Sequence, residues 1–163
     1  MNNIVITRDI EAKKLHVTRQ FNAPPEKVWK AWTEAEILDK WWAPKPWKAQ
    51  TKILDFTPGG LWLYAMVSPE GQKHYSRAEF KTIDAPKGFT YFCVFSDENG
   101  TADPNMPGMH WNIKFIPTAA GTTVQVELSF NEEASMQKMI QMGFEGGFTM
   151  GLNNLEELLG ASI

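Results

Sequence analysis

The sequence predicts an α+β protein in which an antiparallel sheet lies beneath a long C-terminal helix. Three observations indicate this fold class. Apolar residues recur at helical spacing from Asn131 to Leu159, short apolar segments separated by turn residues fill positions 48–130, and the Pro-Pro pair at 24–25 begins a short helical region. The long helix carries more apolar surface than a neighbouring helix of so small a protein could cover, so we expect a sheet beneath it.

The N-terminal quarter of the chain is predicted to contain two strands and two short helices. The strands are placed at residues 3–10 and 14–21, joined by a polar turn. A helix then begins at the Pro-Pro pair, because proline is tolerated in a first helical turn. Thr33 is the predicted N-cap of a second helix, AEILDKWW, which ends before Pro44. These two helices follow the first strand of the core sheet.

The central part of the chain shows no helix signal and is predicted to be an antiparallel meander. Turn residues such as the Pro58-Gly59-Gly60 group separate consecutive strands, and short turns imply antiparallel pairing. In the third of these strands the odd-numbered residues are expected to face solvent, which makes Arg77 and Glu79 a surface pair. The strands are placed at about 48–56, 61–67, 73–83, 89–96, 109–117 and 122–130.

The C-terminal helix has three glycines on its apolar stripe. Gly143, Gly147 and Gly151 each lower helix propensity by about 1 kcal/mol relative to alanine. Two explanations remain open at this point. The missing side chains either allow close packing of the helix on the sheet or leave room for a guest molecule.

Composition and charge exclude several classes of protein. The 163 residues suit one domain spanning 1–163, and the net charge of -3 with scattered basic residues excludes a nucleic-acid partner. No apolar run is long enough to span a membrane. The single cysteine, Cys93, excludes an internal disulfide, and the N-terminal residues do not resemble a signal peptide, so we expect a cytoplasmic protein. A monomer and a dimer are both compatible with the sequence.

Recognisable catalytic and metal-binding motifs are absent from the sequence. His16, His74 and His110 are far apart, and no HxxxH, CxxC or GxSxG motif occurs. Cys93 lies within the apolar run FTYFCVF, which is typical of a buried, inert thiol. We therefore expect no metal, no cofactor and no catalytic residue.

Four stretches taken together resemble a known family. VWKAWTEAEILDKWWAPKPW, DFTPGGLWLYAM with the following PEG turn, TIDAPKGFTY and MGFEGGFTMGLNNLEELL resemble, in order and spacing, the activator of Hsp ATPase homologue family. This family belongs to the START-like superfamily, also called the birch-pollen-allergen, helix-grip or SRPBCC superfamily. The resemblance covers roughly residues 14–160 and implies one helix-grip domain with a cavity between sheet and helix. In this fold a curved antiparallel sheet surrounds the long C-terminal helix, and two short helices follow the first core strand. The loop at 96–108 is longer than is usual for the family.

The resemblance implies less about function than about fold, because relatives bind lipids, hormones or polyketides, catalyse cyclisations, or act as co-chaperones. Our leading prediction is a hydrophobic or aromatic small-molecule ligand bound in the cavity. The first alternative is a cyclase- or lyase-type enzyme that uses the same cavity, with acid–base groups drawn from Tyr64, Tyr75, Glu79 and His110. The second, implied by the family name, is a cofactor of a chaperone ATPase.

The expected ligand-binding residues come from the faces of the sheet and helix that are predicted to point inward. Trp41 and Trp42 are expected either to form a packed lid over the open end of the sheet or to contact a ligand or partner, and His110 either ends its strand or lies at the pocket mouth. The predicted binding residues are Trp32, Trp41, Trp62, Tyr64, Met66, His110, Trp111, Ile113, Ile140, Gly143, Phe144, Gly147 and Phe148.

Overall fold

The computed structural model describes residues 4–160 as one eight-stranded antiparallel sheet with four helices. The strands are β1 (Ile4–Asp9), β2 (Lys14–Phe21), β3 (Lys48–Leu54), β4 (Leu61–Val67), β5 (Lys73–Asp84), β6 (Gly88–Ser96), β7 (Met109–Thr118) and β8 (Gly121–Ser129). The helices are α1 (Pro25–Thr33), α2 (Ala35–Trp41), α3 (Glu133–Gln141) and α4 (Phe144–Gly160). No helix within this described part of the chain is both long and apolar enough to cross a membrane.

The strand order is β1-β2-β8-β7-β6-β5-β4-β3. Strands β3 to β8 form the predicted meander, and the β1–β2 hairpin joins it because β2 pairs with β8, with Leu15 opposite Leu128 and Val17 opposite Val126. The predicted strands are confirmed, with ends shifted by at most two residues, except that position 3 lies outside the described residues.

The side-chain alternation in β5 is confirmed. Ser76, Ala78 and Phe80 are buried on the inner face of the sheet. Arg77 and Glu79 lie on the outer face as a partly exposed pair with a nitrogen–oxygen distance of 3.8 Å. Such a pair contributes little to stability.

Strand β4 carries apolar residues on both faces, and other parts of the chain cover both faces. Tyr64 lies on the inner face, while Leu63 on the outer face is only 3% exposed. The long loop after β6 crosses this outer face: a Cβ built on Gly100 would stand 3.9 Å from Leu63 Cδ2 and 3.7 Å from Arg77 Cδ. The loop therefore covers apolar surface on the outside of the sheet.

The predicted long C-terminal helix is confirmed as α4, but the helical pattern that follows Asn131 is divided into two helices. Helix α3 ends at Gln141, and α4 begins at Phe144. Gly143 between them has φ = +85°, and its N–H donates to the carbonyl of Ile140 at 3.0 Å. Glycine adopts this left-handed conformation without steric cost, so it ends the first helix in the usual way.

The prediction of Thr33 as the N-cap of α2 was wrong. The Thr33 hydroxyl donates to the Trp29 carbonyl at 2.9 Å, within the preceding helix, and Glu34 occupies the N-cap position of α2 without a side-chain hydrogen bond. Threonine hydroxyls often bond back to the carbonyl four residues earlier, and this bond competes with capping.

A buried arginine connects α4 to the sheet. Arg19, on the inner face of β2, is 1% exposed and donates to Asn153 Oδ1 at 2.8 Å and Glu156 Oε1 at 2.5 Å. Its guanidinium lies 5.4 Å from the centre of the Phe21 ring. The ionic hydrogen bonds hold the second half of α4 in a defined position on the sheet.

Candidate functional site

A cavity of about 290 Å³ lies between the inner face of the sheet and the α3–α4 region. This volume is about twice that of an engineered apolar cavity of about 150 Å³ that binds benzene. A guest with one or two rings is therefore of suitable size. The lining residues are Trp42, Pro44, Trp47, Tyr64, Met66, His74, Ser76, Cys93, Val94, Phe95, Pro107, Met109, Trp111, Met139, Phe144, Gly147 and Phe148.

The helix glycines account for part of this space. A Cβ placed on Gly147 would find no heavy atom of the described chain within 4 Å, so this glycine leaves open volume. A Cβ on Gly151 would stand 3.1 Å from the Trp42 carbonyl oxygen and 3.4 Å from that of Trp41. Gly147 agrees with the explanation that the missing side chain leaves room. Gly151 allows close packing, but on the end of α2 and not on the sheet as predicted.

Aromatic rings form the inner wall of the cavity. Trp111 packs against Phe148 at 5.4 Å between ring centres, against Phe144 at 5.9 Å, and against Trp42 at 5.6 Å. Rings in such edge and tilted contacts lose little further freedom when a ligand binds. The wall is apolar and well defined in shape.

A small polar group interrupts the apolar wall. The indole N–H of Trp42 donates to the phenol oxygen of Tyr64 at 2.9 Å, and Ser76 lies opposite Tyr64 in the β4–β5 register. Burial raises the pKa of Tyr64, as does the nearby Cys93, while hydrogen bonding with Trp42 and Ser76 opposes the shift. Burial also raises the pKa of the Cys93 thiol to about 12. Both side chains are therefore neutral at physiological pH.

The mouth of the cavity is formed by more exposed residues. His74 is exposed, and its ring lies 5.5 Å from that of Trp47. Pro107, at the end of the long loop, lies on the same wall. Lys138 of α3 donates to the Asn105 carbonyl at 3.2 Å and so joins the helix to this loop.

Ten of the thirteen predicted binding residues either line the cavity or lie in the core. The cavity lining includes Tyr64, Met66, Trp111, Phe144, Gly147 and Phe148. Trp32, Trp41, Trp62 and Ile113 are instead buried in the core, where the Trp41 N–H donates to the Ala31 carbonyl at 2.8 Å.

The remaining three predicted binding residues do not line the cavity. His110 is exposed on the outer face, where its ring centre is 4.5 Å from that of Phe92, so its proposed place at the pocket mouth was wrong. Gly143 is the exposed break between α3 and α4. Ile140 packs against the core, and Met139 lines the cavity in its place.

Several lining residues were missed by the sequence reasoning. Trp41 and Trp42 were expected to act together as a lid or as ligand contacts, but Trp41 lies in the core, whereas Trp42 and the later Trp47 line the cavity. Ser76 and Cys93 were detectable in principle from strand alternation, since they share the inner face with Phe80 and Tyr91. His74 belongs to the same alternating set as Ser76 but lies at its exposed end.

The acid–base set of the enzyme alternative does not converge. Of its residues only Tyr64 lines the cavity, whereas Tyr75, Glu79 and His110 belong to the outward-facing sets of their strands. No cluster of three or more metal-ligating side chains occurs between residues 4 and 160.

One known protein family matches most of the chain. The sequence profile of the family described as "Activator of Hsp90 ATPase homolog 1-like protein" matches residues 22–160. The chain belongs to this family. Curated proteins, by contrast, include no match to the chain.

Solved structures of similar proteins confirm the helix-grip, START-like fold of this family member. A protein from Arthrobacter aurescens, solved by NMR, is 30% identical with a TM-score of 0.91, and the match covers 96% of this chain and 91% of that one. A protein from Staphylococcus epidermidis is 33% identical with a TM-score of 0.84, covering 98% and 95%. A crystal structure from Mycobacterium smegmatis gives 25% identity and a TM-score of 0.89, covering 98% and 99%.

Proposed function

We propose that this family member binds one hydrophobic or aromatic small molecule in the cavity between sheet and helix, without changing it chemically. The observation that carries the proposal is the cavity of about 290 Å³, walled by aromatic rings and kept open at Gly147. Ligand sites are usually such pre-formed apolar cavities with a few polar groups.

The protonation of the wall residues favours binding over catalysis. The raised pKa of Cys93, about 12, keeps it a thiol, and a thiol is a poor nucleophile. Tyr64 is likewise held as a neutral phenol by burial. No Asp, Glu, Lys or Arg occurs among the described residues that line the cavity. Besides these two neutral groups, His74 at the exposed mouth is the one ionisable side chain in the described lining, so acid–base groups do not converge inside the cavity.

Two neighbouring glycines allow a direct test. Gly147→Leu places a side chain in the cavity, whereas Gly146→Leu places the same side chain on the exposed side of the same helix turn. Titration with a naphthalene-based fluorophore should show saturable binding to the wild type and to Gly146→Leu. We expect Gly147→Leu to weaken this binding by about tenfold or more, because the lost volume removes the contacts of a ring. Equal binding by all three proteins would place the probe elsewhere and contradict the proposal.

Activation of a chaperone ATPase is a second candidate, favoured by the family to which the chain belongs. Met142 and Met150 are large apolar side chains exposed on the helical side of the molecule, and methionine is common on adaptable contact surfaces. Addition of the purified protein to Hsp90 should then increase ATP hydrolysis in a saturable way, and replacement of both methionines by glutamine should reduce the increase. An unchanged rate of hydrolysis would contradict this second function.

A further inference from the structure

We propose that the cavity selects an uncharged guest that carries a hydrogen-bond acceptor, such as a ketone, aldehyde or ester carbonyl on a skeleton of one or two rings, and that Tyr64 and Ser76 supply the donor. This inference rests on the proposed binding function and specifies the chemistry of the guest. It depends on the number of hydroxyl hydrogens that have an acceptor in the protein, on the charge of the residues that line the cavity, and on the cavity volume.

The hydrogen count begins with the Tyr64–Ser76 pair. As whole residues, Tyr64 and Ser76 are 4% and 7% exposed, and both side chains line the cavity from neighbouring positions of β4 and β5. The neighbouring Trp42 side chain only donates, so it takes neither hydroxyl hydrogen. A bond between the two hydroxyls uses one hydrogen and leaves the other.

The remaining hydrogen has no acceptor in the protein. Across residues 4–160, neither hydroxyl donates to a backbone carbonyl or to a side chain outside this pair. A guest that covers this O–H leaves it without an acceptor, which is unfavourable, unless the guest carries an acceptor of its own. Whichever hydroxyl donates to the other, the pair presents one O–H to the cavity.

The charge of the wall restricts the guest further. Within the described lining, ionisable side chains are limited to Tyr64 and Cys93 at the inner end and to His74 at the exposed mouth. A carboxylate or ammonium group drawn into the inner cavity would have no opposite charge beside it, and burial of an unpaired charge is strongly unfavourable. The O–H donor therefore suits a neutral carbonyl better than an ionised acid.

The cavity volume limits the size of the guest's ring skeleton. A cavity of about 290 Å³ is about twice the size of one that holds a single benzene ring. A bicyclic aromatic with one small substituent matches this volume. Its rings can contact Trp111 and Phe148 while its carbonyl oxygen reaches the hydroxyl pair, which lies on the same inner face of the sheet as Trp111.

The test uses probes of matched shape, titrated by calorimetry into the full-length protein. In 2-acetylnaphthalene a carbonyl oxygen occupies the place that a methylene group has in 2-isopropenylnaphthalene. We expect the ketone to bind about tenfold more tightly than this isostere, as one hydrogen bond of ordinary strength predicts. We expect 2-naphthoate to bind at least tenfold more weakly than the ketone.

Variants then assign the preference to the hydroxyl pair. The double variant Tyr64→Phe/Ser76→Ala should bind both probes with nearly equal affinity, while Tyr75→Phe, which removes a phenol from the outer face of β5, should keep the preference of the wild type. Circular dichroism checks that the double variant is folded. If it does not fold, the ratio of ketone to isostere in the wild type still decides the question.

The outcomes separate this inference from the proposed function. Equal wild-type affinity for ketone and isostere would overturn the hydrogen-bond inference and leave apolar binding intact. Binding of 2-naphthoate as tight as that of the ketone would overturn the requirement for a neutral guest. No saturable binding of any naphthalene probe would overturn both the inference and the proposed function.

Discussion

At the scale of single residues, three glycines in one helical region meet three different physical needs. Gly143 adopts a positive φ that ends α3, Gly147 faces open volume, and Gly151 lets the helix approach the backbone after α2. Their spacing on the apolar stripe is visible in the sequence. Their separate roles depend on what lies opposite each Cα, which only the folded chain determines.

The first prediction contrasts two of these glycines. Gly147→Ala should raise the free energy of unfolding by up to about 1 kcal/mol, because alanine favours the helix and its methyl group meets no other atom. Gly151→Ala should be neutral or destabilising, since its methyl group would lie 3.1 Å from the Trp42 carbonyl oxygen. Urea denaturation measures both, with the exposed Gly146→Ala as a control for helix propensity alone. A larger gain at position 151 than at 147 would contradict this assignment.

At the scale of elements, two ionic contacts attach α4 to the N-terminal hairpin. Arg8 of β1 donates to both carboxylate oxygens of Glu145 at 2.8 Å, near the start of the helix, and Arg19 of β2 donates to Glu156 in its second half. The first pair is partly exposed on both sides, whereas in the second pair the Arg19 side chain is buried and that of Glu156 is about half exposed. Loss of the second contact should therefore cost more.

The second prediction concerns the buried arginine. Glu156→Gln should lower the free energy of unfolding by about 2 kcal/mol, because it weakens a hydrogen bond between charged groups and leaves Arg19 without its carboxylate. The neighbouring Glu157→Gln is the matched control, since it removes a carboxylate only from an exposed pair with Lys45. Equal stability of the two variants in urea denaturation would show that the buried contact contributes nothing measurable.

The third prediction follows from the pKa of Glu145, which the hydrogen bond from Arg8 lowers below its ordinary value of 4.5. A carboxylate with a lowered pKa in the folded state stabilises that state above the pKa it has when unfolded, and this contribution is lost as the pH falls through the folded value. Glu145→Gln should therefore be less stable than the wild type at pH 7, and the difference should shrink below about pH 4.5. The exposed Glu11→Gln serves as control. A difference that stays constant between pH 7 and pH 3 would contradict the assignment.

At the scale of the whole molecule, a guest that binds only the folded state must also raise its stability. At a concentration about 100 times the dissociation constant the gain is about 2.7 kcal/mol, which for a chain of this length raises the melting temperature by about 5–10 °C. We expect this fourth effect for 2-acetylnaphthalene with the wild type and Gly146→Leu, and its loss in Gly147→Leu. Calorimetric melting measures it. An equal rise in all three proteins would indicate binding outside the cavity.

The strands of the sheet were predicted from the sequence more completely than the residues that line the cavity. Strand positions were predictable because turn residues mark their ends, and the inward set of β5 was predictable because alternation has a period of two. The cavity lining was predicted in part: Tyr64 and Trp111 were identified, but His110 was placed on the wrong face. Its neighbours Met109 and Trp111 are the buried residues of β7, so strict alternation puts His110 outside.

By itself, the sequence determined the architecture of this protein: the strands, their antiparallel order, the short helices after β2 and the apolar helical region at the C-terminus. These features depend on short-range patterns of polarity and on turn residues, which are local properties of the chain. Tertiary structure alone decided where α3 gives way to α4, which tryptophan lies in the core, and whether a glycine leaves space or closes it. Each of these depends on atoms from segments that are distant in sequence, because the packing between such segments decides whether a cavity remains.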